Sequence, residues 1–291
     1  MENRVLRYFL TVVSEGNISA AAKLLHVTQP TLSRQLKGLE DDLGVTLFER
    51  KGKYMSLTEE GRYLAEQAKN IIHLVDTTTA NLVKSHDIYG TVTIGMAESR
   101  AVSTIAQAIK GVQQAYHHTK FQLHSGNAEQ IIDQLDSGLL DFGVIVEPIN
   151  KVDYDTLSLP YQDVWGVLTR RDSTLAQYDT VTGKQIEGLP LLVSAQEGTT
   201  RMLTNSLDVE ATALDVIAEY NLLYNASLLV EEGVGHAVCL DGIINTVDTE
   251  LCFVPFAPKI TSNLSIIWKR GKPLSTAAQV FLDQLKAILT E

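Results

Sequence analysis

The chain has 291 residues, 45% of them hydrophobic and 20% charged, a globular balance long enough for about two domains and with no disordered tract. A formal net charge of −11 argues against a protein that wraps on nucleic acid, and two cysteines without a CxxC spacing argue against a disulfide framework. The opening MENRVLRYFL lacks a basic-then-apolar leader pattern and no run approaches the roughly 18–20 apolar residues of a membrane span, so the expectation is a cytoplasmic protein without membrane partners.

The acidity is uneven. Residues 1–62 carry nine Lys/Arg and eight Asp/Glu, leaving 15 and 27 for the remainder, so the first segment can still present a basic face. Leu6, Phe9, Leu10 and Val13 recur at helical spacing and predict a first helix ended by Gly16-Asn17. Ser19 is the expected N-cap of a second helix through Leu25, whose three alanines admit a close neighbour. After a tight His26-Val27 connection, Thr28 is the expected N-cap of a third helix. Pro30 falls in its first turn, where a missing N–H costs nothing.

Leu32, Leu36, Leu39 and Leu43 form the apolar stripe of that third helix. At ~100° per residue, Pro30, Ser33, Arg34 and Lys37 gather on the opposite face, with Gln29 at the exposed N-terminal end. Two short helices joined by a short turn, the second polar and basic outside, make a helix-turn-helix suited to the major groove. Gln can pair bidentately with adenine, Arg with guanine, and Ser with either base or phosphate. A solvated surface helix would show a similar face, and this helix alone leaves the two readings balanced.

Residues 45–50 and 54–57 then read as strands around a Lys51-Gly52-Lys53 turn, a hairpin with Arg50, Lys51 and Lys53 near its tip. Beside a reading helix such a wing would contact phosphates or a minor groove, giving position rather than sequence information.

The run NISAAAKLLHVTQPTLSRQLKGLEDDLGVTLFERKGKYMSLTEEG as a whole resembles the winged helix-turn-helix of LysR-type transcriptional regulators. The resemblance rests on the alanines before Leu-His-Val, the Thr28-Gln29-Pro30 start, Ser33-Arg34, Leu39-Glu40, Leu43-Gly44, Leu47-Phe48-Glu49-Arg50 and Leu57-Thr58-Glu59-Glu60-Gly61. It implies that Thr28, Gln29, Pro30, Ser33 and Arg34 contact a double-stranded operator, with Arg50 and Lys53 on its backbone or minor groove. Lys37 joins them by helical-wheel position.

Thr58 can cap a further helix in which Leu64, Ala68, Ile71, Val75, Thr78 and Leu82 are spaced alternately by four and three, the seam of a coiled coil. Leu64, Ala68, Ile71, Val75 and Leu82 are therefore expected to dimerise the chain, so that two recognition helices read an interrupted palindrome. A helix packed on its own domain would show a wider stripe, and Ile72, Leu74 and Val83 do widen this one. The resemblance adds that such dimers can pair into tetramers and recruit RNA polymerase.

From residue 89 the rhythm becomes alternating strand and helix. Strands are expected at 91–96, 121–124, 142–146, 164–169, 191–194, 214–219, 236–240, 251–254 and 264–268, with helices at 102–116, 128–137 and 275–288. Such doubly wound sheets bind ligands beyond the carboxyl ends of their strands. The stretch resembles the two-lobed, periplasmic-binding-protein-like effector region of the same family, through residues 131–142 and 228–237. The expected organisation is α/β throughout: a winged helix-turn-helix over 1–58, a linker helix over 59–88, lobe one over 89–161 plus 267–291, and lobe two over 162–266. The crossings near 160–162 and 266–267 would be hinges.

Strand ends and helix starts supply the effector candidates Ser99, Asn127, Thr199, Thr200 and Arg201, a set suited to a small anionic or polar metabolite. No enzymatic motif emerges: GxSxG, Walker loop and HExxH are absent, and His117, His118 and His124 lack a metal-ligand spacing. The expectation is thus no catalytic residue, metal or cofactor. The rival reading is a small-molecule-binding module whose N-terminal unit only contacts proteins.

Overall fold

Helix α1 (Asn3–Glu15) buries Val5, Leu6, Phe9 and Val12 on one face and stops at Gly16, whose φ of +61° lets its N–H reach the Val12 carbonyl. The computed structural model describes residues 1–51, 54–82, 88–148, 151–196 and 198–290. Helix α2 (Ile18–Leu24) is capped by Asn17, not Ser19: the Asn17 Oδ1 accepts from the N–H of Ser19 at 2.8 Å and of Ala20 at 3.2 Å. The residue that closes one turn also opens the next helix, a double use that its place after Gly16 conceals.

The connection to helix α3 (Gln29–Leu43) runs through His26 in the left-handed region, φ 54°. Thr28 caps α3 through Thr31, and Pro30 occupies the first turn as expected. Leu32, Leu36 and Leu39 are buried, but Leu43 is 41% exposed because it ends the helix, immediately before Gly44 turns the chain away.

The wing consists of β1 (Phe48–Lys51) and β2 (Tyr54–Leu57), antiparallel with Phe48 opposite Leu57. The first strand starts three residues later than expected because the chain before it is tied to α3. One carboxylate oxygen of Glu40 accepts the N–H of Leu47 at 2.8 Å and of Phe48 at 3.3 Å. The turn, including Lys53, lies outside the described residues. Thr58 then caps helix α4 (Glu59–Leu82), accepting the Gly61 N–H at 2.9 Å while its hydroxyl donates to the Thr46 carbonyl at 2.7 Å. Leu6, Phe9, Leu32, Leu36, Leu47, Ala65 and Ala68 share one core, within a unit spanning Met1–Lys84.

The second unit, Ser85–Glu291, begins with β3 (Gly90–Met96), α5 (Val102–Ala115), β4 (Thr119–Ser125), α6 (Ala128–Asp136) and β5 (Phe142–Val146). Strand β6 (Tyr154–Arg170) is much longer than the segment 164–169 foreseen, because its first half carries too many polar residues to read as a buried strand. After a 3₁₀ turn (Thr174–Gln177) and helix α7 (Gly183–Ile186), the second half adds β7 (Pro190–Ser194), α8 (Thr199–Leu207), a second 3₁₀ turn (Ala211–Ala213), β8 (Asp215–Tyr220), α9 (Leu223–Glu231), β9 (His236–Leu240), β10 (Leu251–Pro255), β11 (Thr261–Lys269) and α10 (Thr276–Thr290).

Among the described residues these strands form one sheet in the order β4-β3-β5-β11-β6-β9-β7-β8, with β10 also on β6. Each half holds three parallel strands, β4-β3-β5 and β9-β7-β8, each bordered by an antiparallel one, β11 and β6 respectively. The long strands β6 and β11 pass through both halves side by side. Residues 261–263 pair with 162–164, and 265–269 pair with 154–158 after an irregularity between Asn263 and Ser265. Leu264 already pairs with Val146 of the first half, so the return crossing lies near 263–265 rather than 266–267. Alternation within one uninterrupted strand gives no sequence mark of where a strand changes partners.

Candidate functional site

Two constellations stand out, one in each unit. In the first, the cap hydroxyl of Thr28 is 2.8 Å from that of Thr31, which fixes the start of α3. Gln29, Pro30 and Arg34 are exposed and Ser33 is half-buried, on the side away from Leu32, Leu36 and Leu39. Among the described residues no hydrogen bond or ion pair engages the Arg34 guanidinium, which borders a shallow hollow with Gln35, Gly38 and Asp42. Lys37 points the same way, but its ammonium lies 3.1 Å from Asp41 one turn on, and that hydrogen-bonded carboxylate raises its pKa. Arg50 is on β1, three residues after the Leu47 that Glu40 anchors. Gln29, Ser33, Arg34 and Lys37 form a polar, donor-rich face on a helix whose other side is core.

Helix α4 turns much of the expected dimer seam inward. Ala68 is fully buried in the core of its own unit, as are Ala65 and Ile72, and Leu64 and Ile71 pack against that core. The seam and the inward face overlap because residues four and three apart serve either role. Val75 is half-buried, the side chain of Leu82 is outside the described ones, and Tyr63 and Leu74 are the large apolar side chains that α4 exposes.

In the second unit a cleft lies where the carboxyl ends of the parallel strands of both halves face each other. Ala97 and Glu98 follow β3, Gly126 and Asn127 follow β4, and Val146 ends β5; across from them stand Trp165, Ser194, Gln196, Tyr220 and Leu240. The empty space between its walls is ≈ 490 Å³ when the open solvent at its mouth is included. Only ≈ 50 Å³ stands clear of the walls by a water radius, so the walls must adjust to admit a ligand. A hollow beside it shares Val146, Trp165 and Gln196 and continues to Thr199, Arg201 and Ser262. A third, lined by Thr200 and Glu219, shares Ser194 and Gln196 with the cleft and Thr199 and Arg201 with the second hollow.

The five expected ligand residues thus divide. Asn127 lines the cleft, although its Oδ1 caps α6 by accepting the Gln130 N–H at 2.9 Å. Thr199 and Arg201 line the adjoining hollow, with the Thr199 hydroxyl donating to the Gln196 carbonyl at 2.8 Å, and Thr200 faces the third. Ser99 is not among the cleft-lining residues: its Oγ accepts the Ala101 N–H at 2.9 Å at the head of α5. Glu98, Trp165, Gln196 and Tyr220 were missed. Glu98, Gln196 and Tyr220 sit on or just past strand ends, so the rule that ligands gather there could have found them, whereas Trp165 lies inside the long strand β6.

The electrostatics of the cleft are acidic. The Glu98 carboxylate crosses from the first half to accept the Leu223 N–H, at 2.6 Å, where α9 begins in the second. Asp163, 1% exposed, has neither carboxylate oxygen hydrogen-bonded in normal geometry. Burial pushes its pKa up to about 6; the Ser99 hydroxyl pulls it the other way, and the charge of Asp241 adds to the rise. The Tyr220 phenol is raised well above its ordinary value mainly by burial, and its hydroxyl donates to the Val238 carbonyl at 2.6 Å. The buried Cys239 thiol is raised for the same reason and stays protonated. His118 stacks on Tyr89 at 4.6 Å and the His117 Nδ1 meets the Gln113 carbonyl at 2.8 Å, contacts within the fold.

Residues 3–62 match the profile of the bacterial regulatory helix-turn-helix protein, lysR family, and residues 86–290 that of the LysR substrate binding domain. The transcriptional regulator BsdA of Bacillus subtilis is 31% identical over 202 residues, 68% of this chain and 60% of that protein. The uncharacterised regulator YbhD of Escherichia coli is 26% identical over 291 residues, covering 98% and 91%. Among solved structures, the LysR family regulator CbnR superposes with a TM-score of 0.76 at 18% identity, over 99% of both chains. CbnR on its target DNA superposes with a TM-score of 0.73 at 18% identity, over 99% of this chain and 100% of that one.

Proposed function

Because the chain belongs to the LysR family of transcriptional regulators, we propose that its first unit reads an interrupted palindromic operator and its second answers to a small molecule held in the cleft. The observation that carries the reading is the exposed face of Gln29, Ser33 and an unpaired Arg34 on a helix whose start is fixed by Thr28. That a relative of the same fold has been solved on its target DNA supports it. In this reading Gln29, Ser33 and Arg34 meet base edges, Thr28 and Pro30 set the helix start against the backbone, and Arg50 and Lys53 on the wing neutralise phosphate. Lys37 shares its charge with Asp41 and adds less.

The chain acts as a homodimer or a pair of dimers, in the cytoplasm, with α4 as the joining element. Because Ala68 is already buried in its own unit, the joining contact shifts toward exposed Tyr63 and Leu74 and the half-buried Val75. Closure of the cleft on an effector moves one half against the other along β6 and β11, biasing a population of DNA-bound states and contact with RNA polymerase. The cleft residue Asn127 and the neighbours Thr199 and Arg201 orient the effector. Ser99 acts through the start of α5, and Thr200 from the third hollow.

Arg34→Ala tests the reading. Its side chain is exposed, so thermal unfolding should stay within about 1 °C of the parent. Affinity for the cognate operator, followed by fluorescence anisotropy, should fall roughly tenfold to a hundredfold. Unaltered affinity would leave the N-terminal unit as a protein-contact module.

A further inference from the structure

Among the described residues of the second unit Asp163 is the least satisfied group: a buried carboxylate with no hydrogen bond of normal geometry to either oxygen, although the Ser99 hydroxyl lies beside it. Such a group is stabilised by protonation, by water, or by a positively charged partner. Asp163 itself lines neither the cleft nor the adjoining hollow, but the pleat sets it on the face of β6 that carries Trp165. Asp163 and Trp165 are two apart on β6 and so share a face, Ser262 lies directly opposite Asp163, and the Trp165 indole N–H donates to the Ser262 hydroxyl at 2.8 Å. Trp165 lines both the cleft and the adjoining hollow, where Ser262 joins it.

Two further carboxylates and one guanidinium lie around this point. Glu98 lines the cleft and Asp241 follows Leu240, close enough to raise the Asp163 pKa. Arg100 lays its stem against Gly242, yet among the described residues it makes no ion pair with Asp163 or Asp241. Among the described residues no Lys or Arg lines the cleft, and Arg201 belongs to the neighbouring hollow. Moreover the Leu223 N–H at the start of α9, where a ligand carboxylate would be held, is already bonded to the protein's own Glu98 from the opposite half.

We propose that the ligand of this cleft carries a cationic nitrogen, a protonated amine or guanidinium, held between Asp163 and Glu98 against the face of Trp165. The proposal rests on the reading of the second unit as an effector sensor and deepens it by reversing the expected charge of the ligand. A cation there gives both carboxylates a charge-assisted hydrogen-bond partner, and the indole adds cation–π attraction. The apolar Val146, Leu240 and Ile243 of the lining suit a ligand body without further charge.

The test uses the full chain and three probes of one shape, benzylamine, benzyl alcohol and benzoate, with binding followed by tryptophan fluorescence and by melting temperature. Benzylamine should bind at least about tenfold more tightly than either of the others. Asp163→Asn and Glu98→Gln, which keep shape and hydrogen-bonding capacity, should each erase that preference. Operator binding is measured on the same samples. Benzoate binding as well as or better than benzylamine would overturn the charge assignment while leaving a small-molecule sensor in place. Absence of binding by all three would also overturn it, and intact operator binding would then show that the regulator reading had not failed with it. An amine preference that survives both substitutions would place the cation elsewhere and overturn the proposal as well.

Discussion

Replacing Gly61 by Ala is expected to collapse the first unit while sparing the second. A Cβ at this position would stand 2.1 Å from the Leu47 carbonyl oxygen and 3.0 Å from the Leu57 Cδ2. The nearer obstacle is backbone, and it is held in place from two sides. The Leu47 N–H is bonded to Glu40, and its carbonyl accepts the Thr58 N–H at 3.1 Å. Neither the wing nor the helix can yield without breaking that lock, so the cost should reach about 3 kcal/mol. For a unit of this size that corresponds to a drop of roughly 10–20 °C in melting temperature. Calorimetry of the full chain should show the transition of the first unit moved down by that amount, that of the second unchanged, and operator binding lost in parallel. A shift of only a few degrees would mean that the wing rides loosely on α4.

Asp163→Asn should act in the opposite direction, making the second unit more stable near neutral pH. The folded-state pKa of Asp163 is raised by burial from 3.8 to about 6, so the folded chain takes up a proton more readily than the unfolded one. Stability from this group is therefore fully present below the unfolded value. It is lost as pH rises through the window from about 4 to about 6. Two pKa units amount to roughly 2–3 kcal/mol, and Asn, similar in shape and uncharged, avoids that loss. Denaturant titrations of parent and variant between about pH 4 and pH 8 should converge at the acid end and separate by up to that amount at the neutral end. Curves that stay parallel throughout would mean that the Asp163 carboxylate is compensated in the folded chain.

What could be read in the sequence follows the range of the forces involved. Caps, glycine stops and apolar periodicity are local, so α1, α3, the wing and most strands of the second unit were legible within a few residues. The exceptions have local competitors. Asn17 looked like a terminator, and Leu43 completed a stripe that the core no longer needed. The seam of α4 was legible as a pattern but not in its destination, since Ala68 fits an intramolecular core and a coiled coil equally well. The cleft was hardest. Its place at strand ends followed from the βα rhythm, but Glu98 reaching Leu223, 125 positions away, and Asp163 stranded beside Ser99 depend on two halves meeting. No local pattern encodes that meeting.

The central claim is that this chain is a sequence-specific DNA reader that works as a dimer. The most direct measurement is selection of bound duplexes from a random pool by the full chain, followed by affinity and stoichiometry on the recovered sequence. The account predicts two half-sites related by a dyad, two chains per site, and an affinity that falls steeply with salt as phosphate contacts release counterions. Recovery of no sequence above the non-specific background, or of a single half-site bound by one chain, would contradict it.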